Sequence, residues 1–264
     1  MNIFIREMRA NLRSLLTWGV IVVLFVSIGM SKFSAYYENP EMLAILDSMP
    51  PALLTAFNLL SFNLTTISGF FGVMFTYYAL LLSIAATMWG SDIISKEERD
   101  KTVEFSLTLP VTRNRLVTSK TLAALVNCIC LLLITWGISL ASVQLYHPDA
   151  SFYSFLSLCM LALFVVQLTF LSIGVFLGCA IKRYKQASSL AVSVLLGTYF
   201  LSIVSTLDGN LDFLKYFSPF RYFDAVAMLH ESRIDLTFVG LSLVIVLISM
   251  AGAYLTYAKR DLYV

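Results

Sequence analysis

Charge is scarce in this sequence. Only 13% of its residues are Asp, Glu, Lys or Arg, about half of what a soluble domain carries, while 59% are hydrophobic and the mean hydropathy is +0.83. A soluble fold would have to expose that apolar surface in patches that associate, whereas a bilayer accepts it as solvent. Histidine is nearly absent. His147 and His230 are the two present, with no His-Glu-x-x-His pattern and no neighbouring triad residues, so neither a zinc hydrolase nor a His-based catalytic site is expected. The four cysteines, Cys128, Cys130, Cys159 and Cys179, sit inside apolar runs without metal-ligand or disulfide-framework spacing and read as small packing residues. No metal site is expected. No Gly-x-x-x-x-Gly-Lys-Ser/Thr occurs, and Ser119-Lys120-Thr121 lacks the glycines, so the chain has no phosphate-binding loop of its own.

What is present is length in apolar runs. A helix needs about 20 mostly apolar residues to cross the hydrocarbon layer, and six stretches qualify: 15–31, 67–89, 122–145, 152–181, 188–207 and 236–257. The chain is therefore expected to be a single all-α transmembrane domain. Ionisable residues are missing from the middle of these spans, which argues against a proton- or sodium-coupled carrier. Polar residues inside them, Asn127, Gln144 and Gln167 among others, suit hydrogen bonds between helices. Gln167, mid-span, is the best candidate for lining a path. Gly174 and Gly178 form a GxxxG pair that permits close helix approach.

The basic residues set the orientation. With the N-terminus inside, the inner segments hold 14 of the 18 Lys and Arg residues, and the outer ones hold Lys32, Lys215, Arg221 and Arg233 against nine acidic residues. This bias places both termini in the cytoplasm. Residues 2–14, with Ile5, Met8, Leu12 and Leu15 at roughly helical spacing, are expected to form an amphipathic interfacial helix; the alternative is a plain extension of the first span. In the outer loop from about Lys32 to Thr66, Pro40 can open one short helix through Leu46, and Ala52 to Leu60 reads as another. The outer segment 208–235 carries Asp208-Gly209-Asn210 as a turn, followed by an aromatic run from Tyr216 to Phe223. That run suits an interfacial belt, or a substrate gate in which Ser218, Pro219 and Phe220 take part.

The inner segment 90–120 has the most specific chemistry. Ser95-Lys96-Glu97-Glu98 matches a capping box with Ser95 as N-cap. Opposite charges four apart, Lys96 with Asp100 and Glu97 with Lys101, support a solvated helix. Phe105, Leu107 and Leu109 then precede Pro110, an apolar tip that needs cover from lipid or protein. The run from Ile94 to Phe105, followed by Leu109-Pro110-Val111-Thr112-Arg113, closely resembles the cytoplasmic signature of ABC-2 type permeases. Ser218-Pro219 and Lys259-Arg260-Asp261-Leu262 are similar to that family as well. This chain departs from it at Lys101, where a glycine usually precedes the threonine.

The resemblance implies a permease subunit of an ATP-driven ABC exporter in the plasma membrane of a bacterium. Two six-span subunits, identical or not, would form the path, and two cytoplasmic ABC ATPase subunits would bind beneath. The chain would hold no cofactor, since ATP and Mg would sit on the partner, and it would not itself be an enzyme. A coupling helix between spans 2 and 3 would use Glu97, Glu98, Thr102, Glu104, Phe105, Leu109, Pro110 and Arg113 to seat in the ATPase; Arg113 serves equally as a headgroup anchor. Partners would be that ATPase, a second permease subunit and the bilayer, not nucleic acid. The rival readings are a secondary transporter or channel without ATPase, a membrane-embedded enzyme, and a membrane anchor or sensor subunit that recruits an ATPase.

Overall fold

The computed structural model describes residues 3–37, 39, 48–56, 59, 62–99, 112–181, 183–207 and 209–259. Among these residues the chain is all helical. In chain order the α-helices are α1 (Ile3–Phe33), α2 (Pro51–Ala56), α3 (Ile67–Arg99), α4 (Arg113–Val143), α5 (Ala150–Ala180), α6 (Tyr184–Leu207), α7 (Ala225–Glu231) and α8 (Leu236–Ala258). Short 3-10 turns follow α4 and α6. Six of the helices (α1, α3, α4, α5, α6 and α8) are long and apolar enough to cross a membrane. Each coincides with one of the six stretches read from the sequence, except that Gln144 and Leu145 fall in the turn after α4 and Ile181 caps α5.

Local chemistry sets the helix starts. Thr66 accepts the Gly69 N–H at the head of α3, Thr112 accepts the Arg115 N–H at the head of α4, and Asp235 accepts the Thr237 N–H at the head of α8. Each satisfies one of the donors that a helix leaves without an internal partner. That backbone hydrogen bond holds the Asp235 carboxyl below its ordinary pKa. His147, in a left-handed conformation at φ 45°, ends the turn after α4 and lets the chain reverse into α5.

Two helices form the centre. More than half of the apolar span is buried in α3 and α5 (56% and 61%), against 22% in α1 and α6 and 17% in α8. α3 and α5 make the most extensive contact in the molecule and run parallel, with Phe71 against Phe152 and Phe155 at one end and glycines at the other. A Cβ placed on Gly90 would stand 2.5 Å from the Leu171 carbonyl oxygen, one on Gly174 2.6 Å from that of Thr87, and one on Gly178 2.7 Å from that of Ser91. The GxxxG pair of α5 thus meets backbone, with Gly90 of α3 as its counterpart. α8 packs on α5, α6 on α3, and α1 chiefly on α4. The faces left over on the three outer helices are apolar, as with Leu16, Val20 and Leu24 on α1 and Leu247, Ile248 and Leu255 on α8.

The bundle has two ends. The starts of α1 and α4 and the end of α8 lie together at the near end, joined by Lys120–Glu7 and Arg113–Ala258 contacts. Both described termini are therefore on one side. Two sequence expectations change here. α1 is unbroken from Ile3 to Phe33, so residues 3–14 are an extension of the first span and not a separate surface helix. No glycine or proline interrupts it before Gly19, and Ile5 and Leu12 are exposed while Glu7 is buried. Ser95 is not an N-cap: α3 continues through it to Arg99, since nothing between Gly90 and Arg99 breaks a helix. Ala52–Leu60 is represented by the single short helix α2, and the 40–46 helix lies outside the described residues.

Replacing Gly174 by leucine should lower stability by about 1–3 kcal/mol, the cost of overpacking a tight contact. Gly137→Leu, where an added Cβ meets nothing within 4 Å, should change little. Thermal melting of the two variants in the same detergent checks this.

Candidate functional site

The proposed coupling residues divide into two groups. Glu97 and Glu98 ride on the last two turns of α3, seven residues or fewer past Asp92, where the apolar span ends. Thr102, Glu104, Phe105, Leu109 and Pro110 lie outside the described residues. From Thr112 onward the attachment is well defined.

Arg113 donates from Nη1 to the carbonyl oxygens of Tyr257 and Ala258, at 3.3 and 3.1 Å. These are carbonyls of the last turn of α8, which lack the usual N–H partner four residues on, the one of Tyr257 accepting instead from the Lys259 N–H, and a cation there also suits the negative end of the helix dipole. Thr118 and Tyr254 share a hydrogen bond of 2.8 Å one turn further in. Arg113 therefore clamps the start of α4 to the end of α8, a role that neither headgroup anchoring nor ATPase docking had suggested.

A second clamp joins α4 to α1. Lys120 is 1% exposed and its Nζ stands 3.8 Å from Glu7 Oε1; Arg6 approaches the same oxygen at 3.6 Å. Sequence reasoning counted Lys120 as one more inner cation and assigned Glu7 nothing. The partners are 113 positions apart, and no local pattern links them. A buried ion pair adds little net stability, but removing one member leaves an uncompensated charge.

At the far end, the segment from Gly209 to Glu231 does not stay outside. Ser218 Oγ donates to the Thr198 carbonyl at 2.8 Å, nine residues before the end of α6, which is about 13 Å back along the helix. Phe220 packs against Phe170 of α5 and Tyr199 of α6, with ring centroids 4.9 and 5.4 Å apart. Tyr222 donates its hydroxyl to the Tyr216 carbonyl at 2.6 Å. The segment is re-entrant. Non-helical backbone is tolerated at membrane depth where protein buries it, and Ser218, Pro219, Phe220, Tyr222 and Phe223 are all buried. The aromatic run thus splits: Tyr216 and Phe217 stay exposed as a belt would, and the residues after Ser218 pack inside.

Three of the four gate candidates, Ser218, Pro219 and Phe220, form this plug. Gln167 lies one turn before Phe170 on α5, fully buried, and neither amide atom has a hydrogen-bond partner among the described residues. The cavity beside Phe220, bounded by Phe75, Tyr77, Tyr199, Ser202 and Arg221, measures about 50 Å³. That volume holds a few waters and no cargo. Among the described residues no group of His, Cys, Asp and Glu is placed to hold a metal ion.

A family model described as "ABC-2 family transporter protein" matches residues 1–262. The chain belongs to the ABC-2 transporter family. No match was found among curated proteins. Membership makes the chain the permease of an ABC transporter, a multi-pass membrane protein of a family that generally pairs with cytoplasmic ATPases.

Two outcomes follow. Lys120→Met should destabilise the permease by about 3 kcal/mol or more, and Glu7→Met combined with it should recover most of that loss, because the pair is then replaced and not broken; thermal melts of the three variants decide. In a membrane-reconstituted sample, Phe217→Cys should react readily with a membrane-impermeant maleimide added on the far side, and Ser218→Cys should resist it. Equal labelling of the two would contradict the re-entrant placement.

Proposed function

We propose that this chain is the transmembrane subunit of an ATP-driven exporter, working as a dimer above two separate cytoplasmic ATPase subunits. The family match over nearly the whole chain carries this reading. Both termini and the near end face the cytoplasm, in keeping with the basic bias of the inner segments. The permease holds no nucleotide; ATP and Mg bind the partner, which performs the hydrolysis. The residence is the plasma membrane of a bacterium.

Coupling runs through the end of α3 and the segment that leads to Arg113. Glu97, Glu98, Thr102 and Glu104 set docking register by charge and hydrogen bonding, and Phe105 and Leu109 supply the buried contact. The geometry supports the assignment in one respect: the segment leaves from a helix fixed to α5 at Gly90 and enters one clamped to α1 and α8. A push delivered there reaches five helices. At the far end, withdrawal of the Ser218–Phe220 plug from its seat on α5 and α6 is the gating step, and cargo leaves past it.

The test is co-purification with the ATPase after co-expression, comparing wild type with a Glu98→Arg, Phe105→Ala double variant, with ATP hydrolysis as the second readout. Wild type should retain the ATPase, and the variant, with an unchanged melting temperature, should lose most of it. A well-folded variant that binds the ATPase equally well overturns the coupling assignment.

A further inference from the structure

Between α1, α3 and α6 at the near end lies a notch of about 440 Å³, the size of a ligand site and several times larger than the cavity at the far end. Its walls include Arg13, Ser14, Trp18, Trp89, Asp92 and Lys96. Trp89 Nε1 donates to Ser14 Oγ at 2.9 Å, bracing α3 against α1. Neither Arg13 nor Lys96 forms an ion pair among the described residues. The notch straddles the membrane boundary: Asp92 ends the apolar span of α3, while the apolar run of α1 begins just after Ser14. Its floor is therefore at acyl depth and its rim at headgroup depth. Two indoles at that level suit the glycerol region. Above it the exposed side chains of α1, Leu16, Val20, Ile21 and Leu24, are apolar, a surface for acyl chains.

We infer that this notch binds an anionic glycerophospholipid, its phosphate held by Arg13 and Lys96 and its chains laid along α1. Basic pockets between transmembrane helices on the cytoplasmic side are suited to anionic headgroups. Two cations against one carboxylate leave one net positive charge, a preference of roughly fivefold for an anionic over a zwitterionic lipid. The inference rests on the proposed orientation only for the leaflet it names. Neither the ATPase nor transport enters its test, so its failure leaves the permease reading standing, and the reverse.

The chain has three tryptophans, so a Trp136→Phe background leaves Trp18 and Trp89 as the only reporters, both in the notch. The background protein is reconstituted in phosphatidylcholine vesicles containing a small fraction of brominated phosphatidylglycerol, or the same fraction of brominated phosphatidylcholine, and tryptophan quenching is compared. Brominated phosphatidylglycerol should quench roughly fivefold more effectively. Arg13→Gln with Lys96→Gln should abolish the preference, Arg13→Lys with Lys96→Arg should keep it, and Arg233→Gln at the far end should leave it unchanged. Equal quenching by the two lipids, or a preference that survives the double Gln variant, overturns the inference. Loss of the preference on adding inorganic phosphate, at an ionic strength matched with chloride, overturns it in favour of a free-anion site.

Discussion

The fold depends on one approach of backbones, the crossing of α3 and α5 at Gly90, Gly174 and Gly178. In a bilayer the hydrophobic effect does not draw helices together, because lipid tails solvate leucine as well as another helix does. What remains is close van der Waals packing and the few polar contacts that helices can make with one another. Glycine on both partners lets α3 and α5 come near enough for carbonyl oxygens to sit 2.5–2.7 Å from where a Cβ would stand. That contact makes these two helices the buried centre, and the other four take their places from it. α8 leans on α5 and α6 leans on α3, each leaving most of its own surface to lipid.

The sequence was informative wherever the bilayer itself imposes the rule. Six apolar stretches appear as six long helices because hydrocarbon thickness selects length and apolarity directly. It was uninformative where tertiary contacts decide. The re-entrant segment has the composition of an interfacial belt, and nothing local distinguishes Phe217, which stays at the surface, from Phe220, which packs on Phe170 and Tyr199. The capping-box pattern at Ser95 is a real start signal that an already formed helix overrides, since propagating a helix is easier than nucleating one. Glu7 and Lys120 find each other across 113 positions, and Arg113 finds the end of α8 across 144. Of the coupling set, Glu97, Glu98 and Arg113 are placed by the structure, and only Arg113 has side-chain partners to describe.

The distribution of polar contacts differs between the two ends in a way that suits a device moved from one side. At the near end, Arg113, Thr118 and Lys120 all sit in the first three turns of α4 and reach α8, α8 and α1 respectively. At the far end the polar ties described are neutral hydroxyls on backbone carbonyls, Ser218 on Thr198, Tyr222 on Tyr216 and Tyr146 on Met30, set among extensive ring packing. Charge-assisted hydrogen bonds are directional and strong, whereas ring packing is broad in geometry and weaker per contact. The near end is thus held in register and the far end is held by contacts that tolerate sliding.

The state of Gln167 gives that asymmetry a consequence. Among the described residues neither amide atom of Gln167 has a partner, and a buried amide so left costs about 1–3 kcal/mol, here at a position one turn from the Phe170–Phe220 contact. Asn127 of α4 is in the same condition, fully buried with both amide atoms orphaned. A rearrangement that withdrew Phe220 and admitted water or a polar group toward α5 would relieve Gln167 of its cost and offset part of the ring packing lost. The two arrangements would then lie closer in free energy than the tight α3–α5 crossing alone suggests. A polar residue that looks wasteful in one conformation is what a two-state element requires, because a bundle satisfied completely in a single packing would have no second one to adopt.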